Sequence, residues 1–182
     1  MKAKIISIGI LLCSLVVSGQ EKYMTQEGVI RFYSHTPIED ITAINKEVAA
    51  VIDSEKGAVA IIVLMKKFQF EKKLMQEHFN ENYVESEKFP KATFSGIISG
   101  MDQADYQNPG EYQVVVSGEM SIHGISHEVS TEGTLEVQEQ GITAKTKFLL
   151  NPEDYGIKIP RVVRKNIAER MEITAELFCP PV

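Results

Sequence analysis

The chain has 182 residues, a formal net charge of −6 at neutral pH and a hydrophobic fraction of 43%. This length fits one domain with a sizeable core. An acidic surface excludes nucleic acid as the expected partner and argues against electrostatic docking on anionic membranes.

The amino terminus has the layout of a secretory signal peptide. Lys2 and Lys4 precede an apolar run from Ile5 to Val17, and small residues follow up to Gly19, where we expect cleavage. The apolar run is shorter than a comfortable transmembrane span, and no later apolar stretch is longer. We therefore predict a periplasmic or secreted protein without stable membrane insertion.

Cleavage of this signal peptide, residues 1–19, would leave one domain over residues 20–182. The formal charge would change from −6 to −8, because the segment holds two lysines and no acid. Cys13 would also be removed, which leaves Cys179 as the only cysteine. No internal disulfide can then form, so the fold must depend on its hydrophobic core.

The mature chain begins with strand patterns. Polar and apolar residues alternate weakly from Gly28 to Ser34 and from Glu47 to Asp53, and residues 54–57, SEKG, suit a hairpin turn. Ala58–Met65 is an apolar run rich in β-branched side chains, which favours a strand. Because successive strand residues face opposite sides, this strand needs a cover on both faces.

Residues 71–85, EKKLMQEHFNENYVE, predict a short amphipathic helix. Its larger side chains recur at spacings of three and four, while most charged residues take the other side. The inward face comprises Leu74, Met75, His78, Phe79, Asn82 and Tyr83. Pro90 then directs the chain into an extended segment.

Five further strand patterns follow the helix. In the fourth of these, Lys145 and Lys147 lie on one face and apolar groups on the other, as in a sheet with one dry side. The five segments are KATFSGIISG, EYQVVVSGEMSI, HEVSTEGTLEVQ, ITAKTKFLL and IAERMEITAELF.

The sequence thus predicts an all-β fold of about eight antiparallel strands that close into a barrel, which removes the strand edges. One short helix, about residues 71–85, is inserted between strands and lies across an open end of the barrel. Side chains can fill the interior of such a barrel, or the interior can hold one small ligand. The function depends on which of the two occurs.

Two motifs resemble the YceI-like family of exported lipid-binding proteins. Glu85–Ile98, ESEKFPKATFSGII, contains the strand entry Phe89–Pro90 with Phe94 shortly after it. Gly118–Val137, GEMSIHGISHEVSTEGTLEV, contains the glycine-spaced strand and turn of that family. The resemblance spans roughly Val29 to Leu177, and the chain looks like a divergent branch.

This resemblance implies a lipocalin-like barrel with an elongated apolar pocket for a long-chain amphiphile, most often a polyisoprenoid. We also expect a binding protein without enzymatic activity. We therefore predict an exported carrier, without a cofactor, for a polyisoprenoid or a fatty-acid-like lipid.

Large side chains on the strands and on the helix would contact that ligand, because an apolar tail binds through contact area. For any one of them taken alone, an ordinary packed core is the favoured interpretation, whereas the resemblance favours a pocket for the set. The predicted lipid-binding residues are Phe32, Phe68, Phe70, Leu74, Met75, His78, Phe79, Tyr83, Phe94, Ile122 and Phe148.

Other reactive groups favour neither catalysis nor metal binding. His123 and His127 flank a turn without an apparent third ligand, and Ser121 lacks the surroundings of a nucleophile elbow. The basic cluster Arg161–Lys165 is either a solvated loop or a contact for an anionic head group.

A second interpretation stays open. A partner could cover the outer face of Ala58–Met65, and the barrel could be filled by its own side chains. The protein would then be a structural or interaction module that acts as a homodimer. Sedimentation or crosslinking would distinguish this homodimer from a lipid-loaded monomer.

Overall fold

The computed structural model describes residues 22–100 and 109–182. The predicted signal peptide, residues 1–19, lies outside the described residues, as does most of the predicted connection MDQADYQNPG. The strands are β1 (Lys22–His35), β2 (Asp40–Asp53), β3 (Ala58–Leu64), β4 (Gln69–Phe70), β5 (Lys91–Ser99), β6 (Gly110–Ile122), β7 (Ile125–Gln138), β8 (Gly141–Leu150) and β9 (Met171–Cys179).

Eight of these strands form a closed antiparallel barrel. Their order is β1-β9-β8-β7-β6-β5-β3-β2, and pairing of β1 with β2 closes the ring. The two-residue strand β4 pairs with β2 beside this ring. The predicted fold class, an eight-stranded antiparallel barrel with one short helix, is confirmed.

The first two strands are longer than the sequence pattern predicts, at 14 residues each. Their polar ends alternate only weakly, which hid them from a pattern search. Backbone pairing extends them, because β1 bonds to β2 from Lys22 to His35 and to β9 on its other edge. Tertiary pairing therefore outweighs the local preference of these residues.

The helix lies between β4 and β5, as predicted, and is shorter than predicted. The α-helix α1 covers Lys73–His78 and continues as one π-helical turn over Phe79–Tyr83. In that turn the Val84 amide donates to the Phe79 carbonyl at 2.9 Å. The chain leaves the helix at Glu85, whose φ of 43° is incompatible with further helix.

One half of the barrel is a packed core, which we call the packed half. Its strands approach closely: a Cβ on Gly28 would lie 2.5 Å from Leu177 Cδ2. Cys179 is fully buried here, and burial raises the pKa of its thiol to about 11. The largest fully buried apolar side chains are Ile52, Leu135, Ile142 and Val48.

The half that carries the helix, the hollow half, encloses a cavity. It comprises the carboxyl ends of β1, β3, β6 and β8 and the amino ends of β2, β5, β7 and β9. Two short 3₁₀ turns, Met65–Lys67 and Pro152–Tyr155, and the helix complete its wall.

Candidate ligand-binding cavity

The cavity in the hollow half has a volume of about 780 Å³. Its wall is mainly aliphatic and aromatic, and each of the nine described strands contributes at least one residue to it. Apolar pockets of about 300 to 1,000 Å³ are typical of sites for small molecules. The cavity is therefore large enough to bind an organic ligand.

A cluster of four phenylalanine rings closes the cavity under the helix. Phe32 of β1 lies 5.6 Å from Phe68 and 5.7 Å from Phe79, measured between ring centroids. Phe70 lies 5.1 Å from Phe79 and 5.5 Å from Phe32. Tilted and edge-on aromatic contacts at these distances are favourable, so the rings attach the helix to the barrel.

The structure places ten of the eleven predicted binding residues on the cavity wall. His78 is exposed and lies at the edge of the wall, and the other nine are buried or half-buried. Their contact with a ligand remains a prediction. The ten residues are Phe32, Phe68, Phe70, Met75, His78, Phe79, Tyr83, Phe94, Ile122 and Phe148.

Leu74 does not line the cavity, and it is 61% exposed to solvent. Contacts with the aromatic cluster turn Phe79 inward, and Met75 lies one helical turn before Phe79 on the same face. Leu74 precedes Met75 by one residue and is therefore rotated by about 100° around the helix axis. The expectation that Leu74 faces inward was wrong for this reason.

An ion pair fastens the start of the helix. Lys72 Nζ donates to Glu39 Oε1 at 2.8 Å, and Asn166 Nδ2 donates to Glu39 Oε2 at 3.3 Å. Both hydrogen bonds, with Lys72 first, lower the pKa of the Glu39 carboxyl below its usual range. Glu39 thus joins the β1–β2 turn, the helix and the segment before β9.

His123 fastens the other end of the helix. It lies with Gly124 in the two-residue turn between β6 and β7, where φ is 53° and 77°, as tight hairpin turns require. Its Nδ1 donates to the Tyr155 carbonyl at 3.2 Å, and its Nε2 lies 2.9 Å from Glu85 Oε2. Both ring nitrogens are engaged, so His123 is not arranged as a base for Ser121.

His127 and Tyr155 form the adjacent part of the wall. His127 Nε2 donates to the Asp154 carbonyl at 2.9 Å, and its ring meets Tyr155 edge-on at 5.1 Å. Burial raises the pKa of the Tyr155 hydroxyl. Within residues 22–100 and 109–182, no group of three His, Cys, Asp or Glu side chains is placed to hold a metal ion.

The segment between β8 and β9 contributes wall residues that the sequence patterns did not indicate. Ile157, Ile159, Val163 and Ile167 line the cavity, although this segment contains no strand. Ser34 Oγ accepts a hydrogen bond from the Ala168 amide at 2.9 Å, which holds the segment on β1. The alternating apolar residues of IKIP were the one available signal.

The basic cluster Arg161–Lys165 contributes only its apolar member Val163 to the wall. Arg164 forms an ion pair with Glu153 on the surface. In the described residues, no lysine or arginine side chain lines the cavity. The cavity therefore lacks a strong cation for an anionic head group.

The sequence model of the YceI-like domain matches residues 23–178, which is most of the chain. The chain belongs to the YceI-like family. Among curated proteins, none matches it by sequence. Its similarity to the family therefore shows in the domain pattern and in the fold.

Solved structures share the fold of this YceI-like chain at low sequence identity. A polyisoprenoid binding domain from Saccharophagus degradans, implicated in plant cell wall breakdown, has a TM-score of 0.77 at 13% identity, covering 88% of this chain and 98% of that domain. Burkholderia cenocepacia BcnA has a TM-score of 0.67 at 15% identity, covering 82% of this chain and 94% of its own.

The Campylobacter jejuni YCEI protein has a TM-score of 0.54 at 10% identity, with coverage of 100% of this chain and 99% of its own. At these identities the likeness extends to the fold alone. As for membrane-spanning helices, none of the helices in residues 22–100 and 109–182 has the length and apolar character to cross a bilayer.

Proposed function

We propose that this YceI-like protein is an exported, non-enzymatic carrier that holds a long-chain apolar ligand in the hollow half of its barrel. The observation that carries the proposal is the cavity of about 780 Å³ with its aliphatic and aromatic wall. The ligand class is a polyisoprenoid or a fatty-acid-like lipid. The polyisoprenoid binding domain of similar fold supports this choice.

The wall suits such a ligand because an apolar chain needs contact area rather than specific donors. Each methylene group moved from water into the cavity contributes about 0.8 kcal/mol. Phe94 and Phe148 on the strands and Met75 on the helix offer that contact from different sides. No cofactor takes part in this function.

Export follows from the signal peptide predicted at residues 1–19, and residues 20–182 act as one domain in the periplasm or outside the cell. The acidic composition is consistent with a protein that binds neither nucleic acid nor an anionic membrane surface. The carrier thus works in an aqueous compartment where free long-chain lipids are poorly soluble.

The test is native mass spectrometry of the protein purified without detergent, followed by organic extraction. We expect a lipid-sized adduct on the wild type and its loss in Ile122→Asp, which places a charge on the cavity wall. Leu74→Asp is the matched control, because this exposed residue should retain the adduct. Circular dichroism must show that both variants fold. A folded Ile122→Asp protein that keeps its lipid would refute the proposed site.

A second candidate function is self-association, and a separate observation favours it. The outer surface of neighbouring strands β3, β5 and β6 exposes Ile62 (43%), Leu64 (43%), Ile97 (48%) and Val115 (42%). Two copies of an acidic protein repel each other less at exposed apolar patches of this kind than at charged surfaces. A homodimer of loaded barrels would bury this surface.

Analytical ultracentrifugation tests the homodimer. We expect wild-type protein to sediment as a dimer and Ile62→Lys to sediment as a monomer with its lipid still bound. Glu55→Gln, which changes the net charge by the same +1 at an exposed position in the nearby β2–β3 turn, controls for net charge. Monomeric wild-type protein at all accessible concentrations would exclude self-association and leave the carrier function untouched.

A further inference from the structure

The barrel wall is split between β7 and β8. These strands pair only from Gly133 to Gln138 on β7 and from Gly141 to Thr146 on β8. Beyond Gly133 and Thr146, β7 remains paired with β6, and β8 remains paired with β9 up to Leu150. Both strands thus continue while the ladder between them stops, which leaves a lateral slit in the described part of the wall.

The cavity extends to this slit. In a closed barrel wall only alternate residues of a strand face the interior. Here consecutive residues border the cavity, His127–Thr131 on β7 and Phe148–Leu150 on β8. Runs of consecutive lining residues mean that the cavity meets the edges of both strands as well as their inner faces.

The point where the strands part is defined by small and hydroxyl-bearing residues. A Cβ on Gly133 would lie 2.7 Å from the Lys145 carbonyl oxygen, so the strands cross closely just before they separate. Thr146 Oγ1 donates to the Glu132 carbonyl at 2.7 Å and lies 3.2 Å from Thr131 Oγ1. These side-chain hydrogen bonds take the place of the next ladder bonds and hold the fork in position.

The rim of the slit is polar and carries no strong cation. Strand edges that lack a neighbour present backbone N–H and C=O groups. The Ser130 and Thr131 hydroxyls and the Glu128 and Asp154 carboxylates add further polar groups beside the cavity. Apart from two histidines, none of the described residues that line the cavity can carry a positive charge.

We propose that the slit between β7 and β8 is the entrance of the cavity and holds the head group of the bound lipid. Because the rim offers hydrogen bonds together with carboxylates, it selects long-chain lipids with an uncharged hydroxyl or amide head over those with a carboxylate or phosphate head. This inference rests on the proposed carrier function and narrows its ligand class.

A covalent crosslink across the slit tests whether the lipid enters the cavity there. If the β7–β8 register continued three residues past Gly133 and Thr146, Ser130 would lie opposite Leu149. Leu149 is 62% exposed. A bis-maleimide can therefore link the variant S130C/L149C from outside. The matched control is T134C/K145C, which links the same two strands where they already pair. The buried Cys179 is common to both proteins.

The readout is the rate at which a fluorescently labelled long-chain alcohol moves from neutral lipid vesicles to the protein. We expect the linked S130C/L149C protein to take up the probe about tenfold more slowly than its unlinked form, and the linked control to be unchanged. Equal rates for linked and unlinked S130C/L149C would overturn the entrance. Failure of unmodified protein to take up any long-chain probe would instead reject the carrier function.

Head-group selection is tested by equilibrium competition at about pH 8, where a free carboxylic acid is ionised. We expect a long-chain alcohol to bind about tenfold more tightly than the fatty acid of equal length, and Glu128→Gln to reduce that ratio. Tighter binding of the fatty acid by the wild type would overturn this part of the inference.

Discussion

The packed and hollow halves of the barrel are built from the same eight strands with opposite results. On β8, Ile142 is fully buried in the packed half, whereas Phe148 is only half-buried beside the cavity. Both face inward along one alternating pattern. The comparison teaches that alternation decides which side of a strand is dry, while the spacing of opposite walls decides whether the dry side is filled.

Truncation of one inward residue in each half should show the difference between the halves most clearly. Ile142→Ala leaves a cavity among fully buried neighbours and should lower the free energy of unfolding by about 2 to 5 kcal/mol. Phe148→Ala enlarges a space that already exists, so it should cost less stability and weaken ligand binding. Urea unfolding of both ligand-free proteins measures the difference, and equal losses would contradict the division into halves.

Enlargement of an inward alanine should give the opposite test. Ala50 is 2% exposed in the packed half, and Ala50→Leu should lower the free energy of unfolding by about 1 to 3 kcal/mol through overpacking. Ala92 lines the cavity, so Ala92→Leu should fold with near wild-type stability and bind less lipid. A strongly destabilised Ala92→Leu protein would show that the cavity wall is as tightly packed as the core.

Loss of the His123 hydrogen bonds at the end of the helix should increase local opening in the hollow half alone. His123→Asn keeps a residue that tolerates positive φ but cannot reach Glu85, and should cost about 1 kcal/mol for the lost hydrogen bonds. Faster hydrogen exchange is expected at the Val84 amide and in α1, with no change in the packed half. Glu85→Gln serves as a milder companion. Uniformly faster exchange would indicate global destabilisation instead.

Acid should loosen the start of the helix slightly. The pKa of Glu39 is lower in the folded protein because Lys72 and Asn166 donate to its carboxylate. The resulting stabilisation is present above the ordinary pKa of glutamate and is lost as pH falls through the lowered value. Below that pH, wild type and Glu39→Gln should have equal stability. At neutral pH the wild type should be slightly more stable, which thermal unfolding at both pH values measures.

The barrel could be predicted from the sequence because most of its strands have a recognisable local pattern of residues. Alternation in ITAKTKFLL and the turn His123–Gly124 identify β8 and the hairpin of β6 and β7 without any knowledge of partners. The ends of β1 were missed, because their strand state depends on pairing with β2 and β9. Pairing is a property of the assembled sheet.

The cavity was less accessible to sequence reasoning. Facing follows from periodicity, so Phe32, Phe94 and Phe148 could be placed on the inner side of the wall. Periodicity does not show how far the inward side chains fill the barrel interior. It also does not show that an irregular segment such as residues 157–167 contributes to the cavity wall. The slit depends on a ladder that ends at Gly133, and a single glycine in a strand pattern is too common to predict one.

The packed half also acts as a floor. Ile52, Leu135 and Ile142 leave no passage through that end of the barrel, so the cavity is a dead end. An incoming lipid cannot push the resident one out ahead of it. Exchange must therefore begin with departure, and the rate at which bound lipid leaves should not depend on how much competitor is present.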